Sequence, residues 1–120
     1  MSSSSVSLHP YFKAHPGKLE EIKALLPEFV KKSATEEKIL QYAFTLNGDE
    51  IFCRESYRDA AGVLAHLSNV GDLLNRMLTM ADLIRLELHG PAGELEALRE
   101  PLASLHPAWF VVECGMENRS

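Results

Sequence analysis

The sequence predicts one α+β domain, in which helices cover one face of a β-sheet. Segments with alternating apolar side chains lie on both sides of Asn47-Gly48-Asp49, and an Asn-Gly pair in that setting is a strong β-hairpin signal. Before this hairpin, apolar residues recur at steps of three and four positions, which is the period of an amphipathic helix. The 120 residues, 46% of them hydrophobic and 24% charged, suffice for one core and leave little for a second. We therefore expect residues 1–120 to form a single domain.

The first strand is predicted over Val6–Lys13. Pro10 has no backbone donor, so it restricts this strand to a sheet edge or a bulge. A helix opens at Pro16-Gly17, and its apolar residues share one face: Leu19, Ile22, Leu25, Leu26, Phe29 and Val30. Pro27 removes one hydrogen bond of this helix. Because the apolar period continues beyond it, we expect a kink there rather than an end.

The hairpin strands are predicted over Ile39–Leu46 and Ile51–Tyr57. Both residues of the Asn-Gly pair accept positive φ, which suits the turn between them. Side chains alternate along a strand, so one face of the second strand carries Ile51, Cys53, Glu55 and Tyr57.

The second helix is predicted to begin at Asp59, a good N-cap residue. Its inward residues are Val63, Leu64, Leu67 and Val70, and Gly71 interrupts it. His66 falls at the edge of this apolar stripe, and Asp72 is expected to cap a further turn or two.

A third region of alternation, Leu83–His89, predicts a strand whose apolar face carries Ile84, Leu86 and Leu88. A helix from Ala92 to about Leu105 and a last strand, Trp109–Cys114, complete the order of elements.

This order is β-α-β-β-α-β followed by one more α-β unit, which is the ferredoxin-like split βαβ arrangement with a C-terminal extension. Helices on one face leave the other face of the sheet bare, and both faces of the first hairpin strand carry apolar side chains. We therefore expect a homodimer in which two sheets pack face to face.

Composition excludes several classes of partner. The formal charge of −5 and the lack of a basic patch argue against nucleic acid, and no apolar run reaches the roughly 20 residues of a membrane span. Residues 1–5 are a polar serine run rather than a secretory signal and are expected to be disordered, like the frayed tail 116–120. The two cysteines fit buried thiols in a reduced, cytoplasmic protein.

The order of elements and several sequence blocks resemble the antibiotic biosynthesis monooxygenase-like family of dimeric α+β barrels. The blocks are Tyr11-Phe12-Lys13 with Gly17-Lys18, Thr35 with Glu37 and Tyr42, and Arg54-Glu55-Ser56-Tyr57-Arg58-Asp59-Ala60 with His66. Members often carry a Glu-x-Gly turn after the first helix, where this chain has Glu36-Glu37-Lys38. The part that includes Leu88-His89-Gly90-Pro91-Ala92 looks like an extension found in one branch of the family.

Glu55 and His66 are the predicted catalytic pair. They lie on consecutive elements, where a strand-to-helix turn could direct both into one pocket, and Glu55 could hold the imidazole in one tautomer. The resemblance implies a cofactor-independent monooxygenase: a phenolic or enolisable substrate loses a proton to His66, and its anion reacts with dioxygen without flavin or metal. Tyr42, Tyr57 and Asn69 are the predicted substrate-binding residues.

Other interpretations remain open at this stage. An isomerase with the same acid-base pair would need Arg54 or Arg85 inside the pocket, and haem degradation would need an iron-binding histidine in an open pocket. A non-catalytic dimeric module that binds a small ligand would use His66 for packing alone, and Glu55 would then pair with an arginine at the surface. Neither metal-binding spacings nor nucleotide-binding motifs occur in the sequence.

Overall fold

A computed structural model describes residues 4–118 of the chain, and these form one mixed sheet with helices packed on it. The elements are β1 Val6–Ala14, α1 Leu19–Ser33, β2 Ile39–Asn47, β3 Glu50–Tyr57, α2 Ala60–Asn69, α3 Gly71–Met77, β4 Ala81–Gly90, α4 Ala92–Arg99, a 3-10 turn Ala103–Leu105 and β5 Ala108–Val111. The strand order is β2-β3-β1-β4-β5; the first four strands are antiparallel, and β5 runs parallel to β4. The predicted ferredoxin-like arrangement with an α-β extension is confirmed. The expected disordered segments, 1–5 and 116–120, lie partly outside the described residues.

Pro10 lies in a central strand, so the edge position allowed for it is wrong, and the bulge lies beside it rather than at the proline itself. Pairing of β1 with β3 is interrupted at His9 and Pro10, where proline offers no N–H to a partner strand. Between Tyr11 and Phe12, the register of β1 with β4 shifts by one residue. The central strand accommodates its proline through this irregular ladder.

The same register shift corrects the predicted apolar face of β4. Tyr11 pairs with Arg85 and Phe12 pairs with Leu83, so Ile84 is the extra residue of a bulge. Ile84 is consequently 51% exposed, whereas Leu86 and Leu88 face the core as predicted.

Two helix boundaries agree with the sequence and two do not. The helix α1 continues through Pro27 to Ser33, and the Asp59 carboxylate caps α2 by accepting a hydrogen bond from the Gly62 N–H at 2.9 Å. The α3 helix has Val70 rather than Asp72 at its N-cap position, and α4 ends at Arg99 rather than near Leu105. The last strand likewise ends at Val111, before Cys114.

The inward face of α2 also differs from the prediction. His66 is 3% exposed and belongs to the buried face with Val63 and Val70, whereas Leu64 is 38% exposed. Val63, His66 and Val70 follow one another at steps of three and four positions, so they share one helical face, and Leu64 lies outside it.

The core on the helical side of the sheet consists of two apolar clusters. One includes Phe12, Phe29 and Met77, and the other includes Leu8 and Leu102. Leu83 packs against both clusters. Among the described residues, the buried polar side chains are Ser33, Glu55 and His66, and the last two lie where the clusters meet.

The opposite face of the sheet carries a row of rings that are half-buried, apart from the exposed Phe110. His9 lies between Phe52 at 5.9 Å and His89 at 4.6 Å, and His89 stacks on Phe110 at 4.5 Å between ring centroids. The homodimer expected on this face stays a prediction, which light scattering on the purified chain would test. Within residues 4–118, no helix is long and apolar enough to cross a membrane.

The N-cap of α2 should contribute measurably to stability, because it satisfies a backbone donor that the helix cannot. We expect Asp59→Ala to lower the free energy of unfolding by about 1 kcal/mol in urea denaturation. Asp59 also pairs with Lys38 Nζ at 2.8 Å, so Lys38→Ala is the control. It removes the exposed ion pair but keeps the cap, and should cost less than half as much. Equal losses would show that the ion pair, not the cap, is responsible.

Candidate active site

The polar side chains of the core come from three separate elements. Alternation along β3 turns Glu55 to the helical side of the sheet, and α2 lays His66 above it. The link between α1 and β2 supplies a third residue, Glu36, whose side chain is only 8% exposed.

An imidazole lies between two carboxylates in this site. His66 Nδ1 is 2.9 Å from Glu36 Oε2 and 3.1 Å from Oε1, while its Nε2 is 3.6 Å from Glu55 Oε1. A carboxylate can only accept, so the Nδ1 nitrogen carries the proton and donates to Glu36. The Nε2 nitrogen faces Glu55 across a gap longer than a hydrogen bond.

Neighbouring side chains fix both carboxylates. The Asn69 amide donates to Glu36 Oε2 at 2.9 Å and to the Lys32 carbonyl at 3.0 Å, which ties the link after α1 to the end of α2. The Tyr57 hydroxyl donates to Glu55 Oε1 at 2.6 Å. The result is a row of polar side chains from Asn69 to Tyr57, hydrogen-bonded except across the 3.6 Å gap between His66 and Glu55.

This geometry redistributes the roles expected from the sequence. Glu55 and His66 do approach each other, but the contact that selects the tautomer belongs to Glu36. Sequence reasoning missed Glu36 as a site residue because it considered this residue only as part of the turn after the first helix. A usable signal was present, since Glu36 occupies the glutamate position of the Glu-x-Gly turn quoted for the resembling family.

A mostly apolar pocket opens beside this chain of polar residues, with a volume of about 60 Å³ open to the centres of water molecules. Of the predicted site residues, Tyr42, Glu55 and His66 line it. Tyr57 and Asn69 lie behind that wall: Tyr57 touches Glu55, and Asn69 touches Glu36. The tyrosine rings flank His66, with centroids 5.1 Å (Tyr42) and 5.2 Å (Tyr57) from the imidazole.

Burial dominates the electrostatics of the site. It raises the pKa of Glu55 above its ordinary value, against the opposing effects of His66 and of hydrogen bonds from Tyr57 and Cys53. Burial likewise raises the pKa of Tyr42, Cys53 and Tyr57, so these groups remain neutral donors at physiological pH. The pocket wall therefore combines an oriented imidazole with neutral hydrogen-bond donors in a setting that disfavours charge.

Within residues 4–118, no group of three or more His, Cys, Asp or Glu side chains is arranged to hold a metal ion.

Comparison with known proteins gives the family. No family model matches the sequence. No curated protein matches it either. Among solved structures, a Chloroflexus aurantiacus J-10-fl protein named after the antibiotic biosynthesis monooxygenases shares the fold at 22% identity, with a TM-score of 0.63. MupZ from Pseudomonas fluorescens is 36% identical over 98% of this chain and 92% of its own, with a TM-score of 0.94. The chain belongs to the antibiotic biosynthesis monooxygenase-like family.

Solved structures that share this fold differ in length. The Chloroflexus protein covers 75% of this chain with 95% of its own, and Rv0793 from Mycobacterium tuberculosis covers 73% with 95% of its own, at 19% identity and a TM-score of 0.65. The unmatched quarter is about as long as the segment that follows β4. MupZ, by contrast, matches almost the whole chain.

The buried carboxyl of Glu55 should make stability depend on pH in a defined direction. Burial raises the pKa of Glu55 in the folded state, so folding favours the neutral carboxyl. The stability that depends on this neutral form is fully present below the ordinary pKa of a glutamate. It is lost as pH rises through the raised pKa. Gln cannot ionise and can still accept from Tyr57. We expect Glu55→Gln to raise the melting temperature relative to wild type, with a difference that grows as pH rises above the ordinary pKa of a glutamate.

The measurement is thermal unfolding of both proteins at pH values below and above that pKa. Glu37→Gln is the matched control, since Glu37 is exposed and should show no such growth. A difference that is constant with pH, or largest at the acidic end, would mean that Glu55 is not held in its neutral form.

Proposed function

We propose that this protein is a cofactor-independent monooxygenase that uses His66 as general base on a small phenolic or enolisable substrate. The observation that carries the proposal is the buried 2.9 Å contact between Glu36 and His66 Nδ1, beside an apolar pocket. This contact leaves Nε2 as the nitrogen that can take a proton, and the carboxylate stabilises the imidazolium that forms.

Proton removal prepares the substrate for oxygen. In the proposed reaction, the substrate carbanion gives electrons to dioxygen and forms a carbon–oxygen bond, and the peroxide anion regains the proton from His66. Loss of water from this hydroperoxide converts the original CH₂ group to a carbonyl. One oxygen atom enters the product, the other leaves as water, and the substrate supplies all the electrons.

The wall around His66 suits such an anion. Tyr42 and Glu55 line the pocket, and burial raises the pKa of both side chains. Tyr42 can therefore donate a hydrogen bond to a substrate oxygen on which negative charge develops, and Glu55 can do so in its protonated form. Apolar side chains make up the rest of the pocket, and they exclude the water that would otherwise solvate the anion.

The isomerase alternative has less support. It needs a cationic group for an anionic substrate, and Arg54 and Arg85 are both exposed and do not line the pocket. Arg85 is paired with Glu87 on the other face of the sheet.

The proposal is tested by oxygen consumption with a panel of polycyclic phenols, in the presence of a metal chelator. We expect His66→Ala to lower the rate about 100-fold or more. Glu36→Gln should lower it by a comparable factor, because a Gln amide can donate to Nδ1 and would move the proton to Nε2. His15→Ala, which changes an imidazole paired with Asp82 outside the pocket lining, is the control and should leave the rate unchanged.

Two results would contradict the proposal. An unchanged rate in His66→Ala would remove the general base. Deuterium exchange into an enolisable ketone without oxygen uptake would favour the isomerase.

A further inference from the structure

The pocket crosses the sheet, and it also extends along the strands toward Phe12, Phe44 and Cys53. Its floor begins at Tyr42 on β2, continues over Glu55 on β3 and Leu8 on β1, and reaches Leu83 and Leu86 on β4. The register places Tyr42 beside Glu55, Glu55 beside Leu8 and Pro10 beside Leu86, so these side chains follow one another across the sheet. Neighbouring strands lie about 4.8 Å apart, which gives the floor a length of roughly 14 Å.

The two ends of this floor differ in chemistry. Tyr42, Glu55 and His66 meet at the β2 and β3 end, whereas the β4 end is formed by aliphatic side chains. A ligand whose polar group contacts His66 has about 10 Å of apolar floor between β3 and β4 still to fill.

The C-terminal extension closes the aliphatic end. Leu102, 1% exposed, is packed in one cluster with Leu95 and Leu98 of α4, and it forms a fixed wall. Leu105 in the 3-10 turn also lines the pocket but is only partly buried, so it lies at the rim. The turn ends at His106, whose φ of 52° reverses the chain into β5.

We propose that Leu102 and Leu105 are specificity-determining residues, which bound a subsite for an apolar arm of the substrate. The chemistry assigned to the polar end of the substrate, its head, rests on the proposed function. The apolar arm of the substrate is inferred from the shape of the pocket alone. The substrate class is therefore a phenolic or enolisable head that carries an extended aliphatic chain. The length of the extension fits the quarter of the chain that the shorter structures of this fold do not match.

The probes are 4-alkylphenols with methyl, butyl and octyl chains, titrated into the full-length protein by calorimetry without oxygen. We expect affinity to rise about threefold to fourfold for each added methylene until the arm reaches Leu105. Leu105→Trp should weaken octylphenol binding at least about tenfold and leave the binding of methylphenol unchanged. The larger side chain shortens the pocket only at the end away from His66, which methylphenol does not reach. Leu105→Ala should move the preferred chain to a greater length.

Leu64→Trp is the control, since Leu64 is a partly exposed leucine of α2 that does not line the pocket. It should leave the whole series unchanged. An affinity independent of chain length in wild type, or an equal loss for all three phenols in Leu105→Trp, would overturn the subsite. The titrations need no turnover, so they test the subsite separately from the reaction. If the protein selects phenols by chain length but consumes no oxygen, the apolar subsite stands and only the proposed monooxygenase reaction is rejected.

Discussion

Burial of the Glu36 carboxylate against the imidazole of His66 is the constraint on which the other features of the site depend. Two ionisable side chains leave water here only because each is a hydrogen-bond partner of the other. The contact joins the link after α1 to α2, and Asn69 secures the carboxylate from the end of the same helix. It also determines which nitrogen of His66 faces the pocket, so fold and chemistry are set by one interaction.

Glu55, unlike the Glu36–His66 pair, is buried at a net cost to stability. It accepts from Tyr57 and faces His66, yet burial outweighs both and raises its pKa. A neutral side chain of the same shape would fit the core with less cost. An ionisable group that is buried at a cost in stability is typical of an active site, where stability is exchanged for reactivity.

Local sequence signals predicted those parts of the fold that depend on neighbouring residues. Alternation in β3 placed Glu55 on the core face, and the Asp59 cap and the Asn47-Gly48 hairpin followed from turn and helix-end chemistry, although positive φ occurs at Gly48 and not at Asn47. The β4 bulge at Ile84 could not be predicted, because it arises from the register against β1.

The site was predictable only in part, for the same reason. His66 was predicted at the edge of the apolar stripe of α2 because Leu64 was taken as buried, and only the packing of α2 on the sheet shows which face turns inward. Glu36 and His66 are 30 positions apart in the sequence. No local sequence pattern predicts that the carboxylate of the link after α1 contacts a side chain of α2. Such contacts depend on tertiary packing, which periodicity does not encode.

The central claim is that Glu36 holds His66 as the Nδ1–H tautomer with Nε2 toward the pocket. Nitrogen-15 NMR of the histidine ring in the intact protein measures this directly, with Glu36→Gln as the comparison. The account predicts a protonated Nδ1 and an unprotonated Nε2 in the neutral ring of wild type, and a reversal of the two in Glu36→Gln. A neutral ring protonated at Nε2 in wild type, or one unaffected by Glu36→Gln, would contradict it.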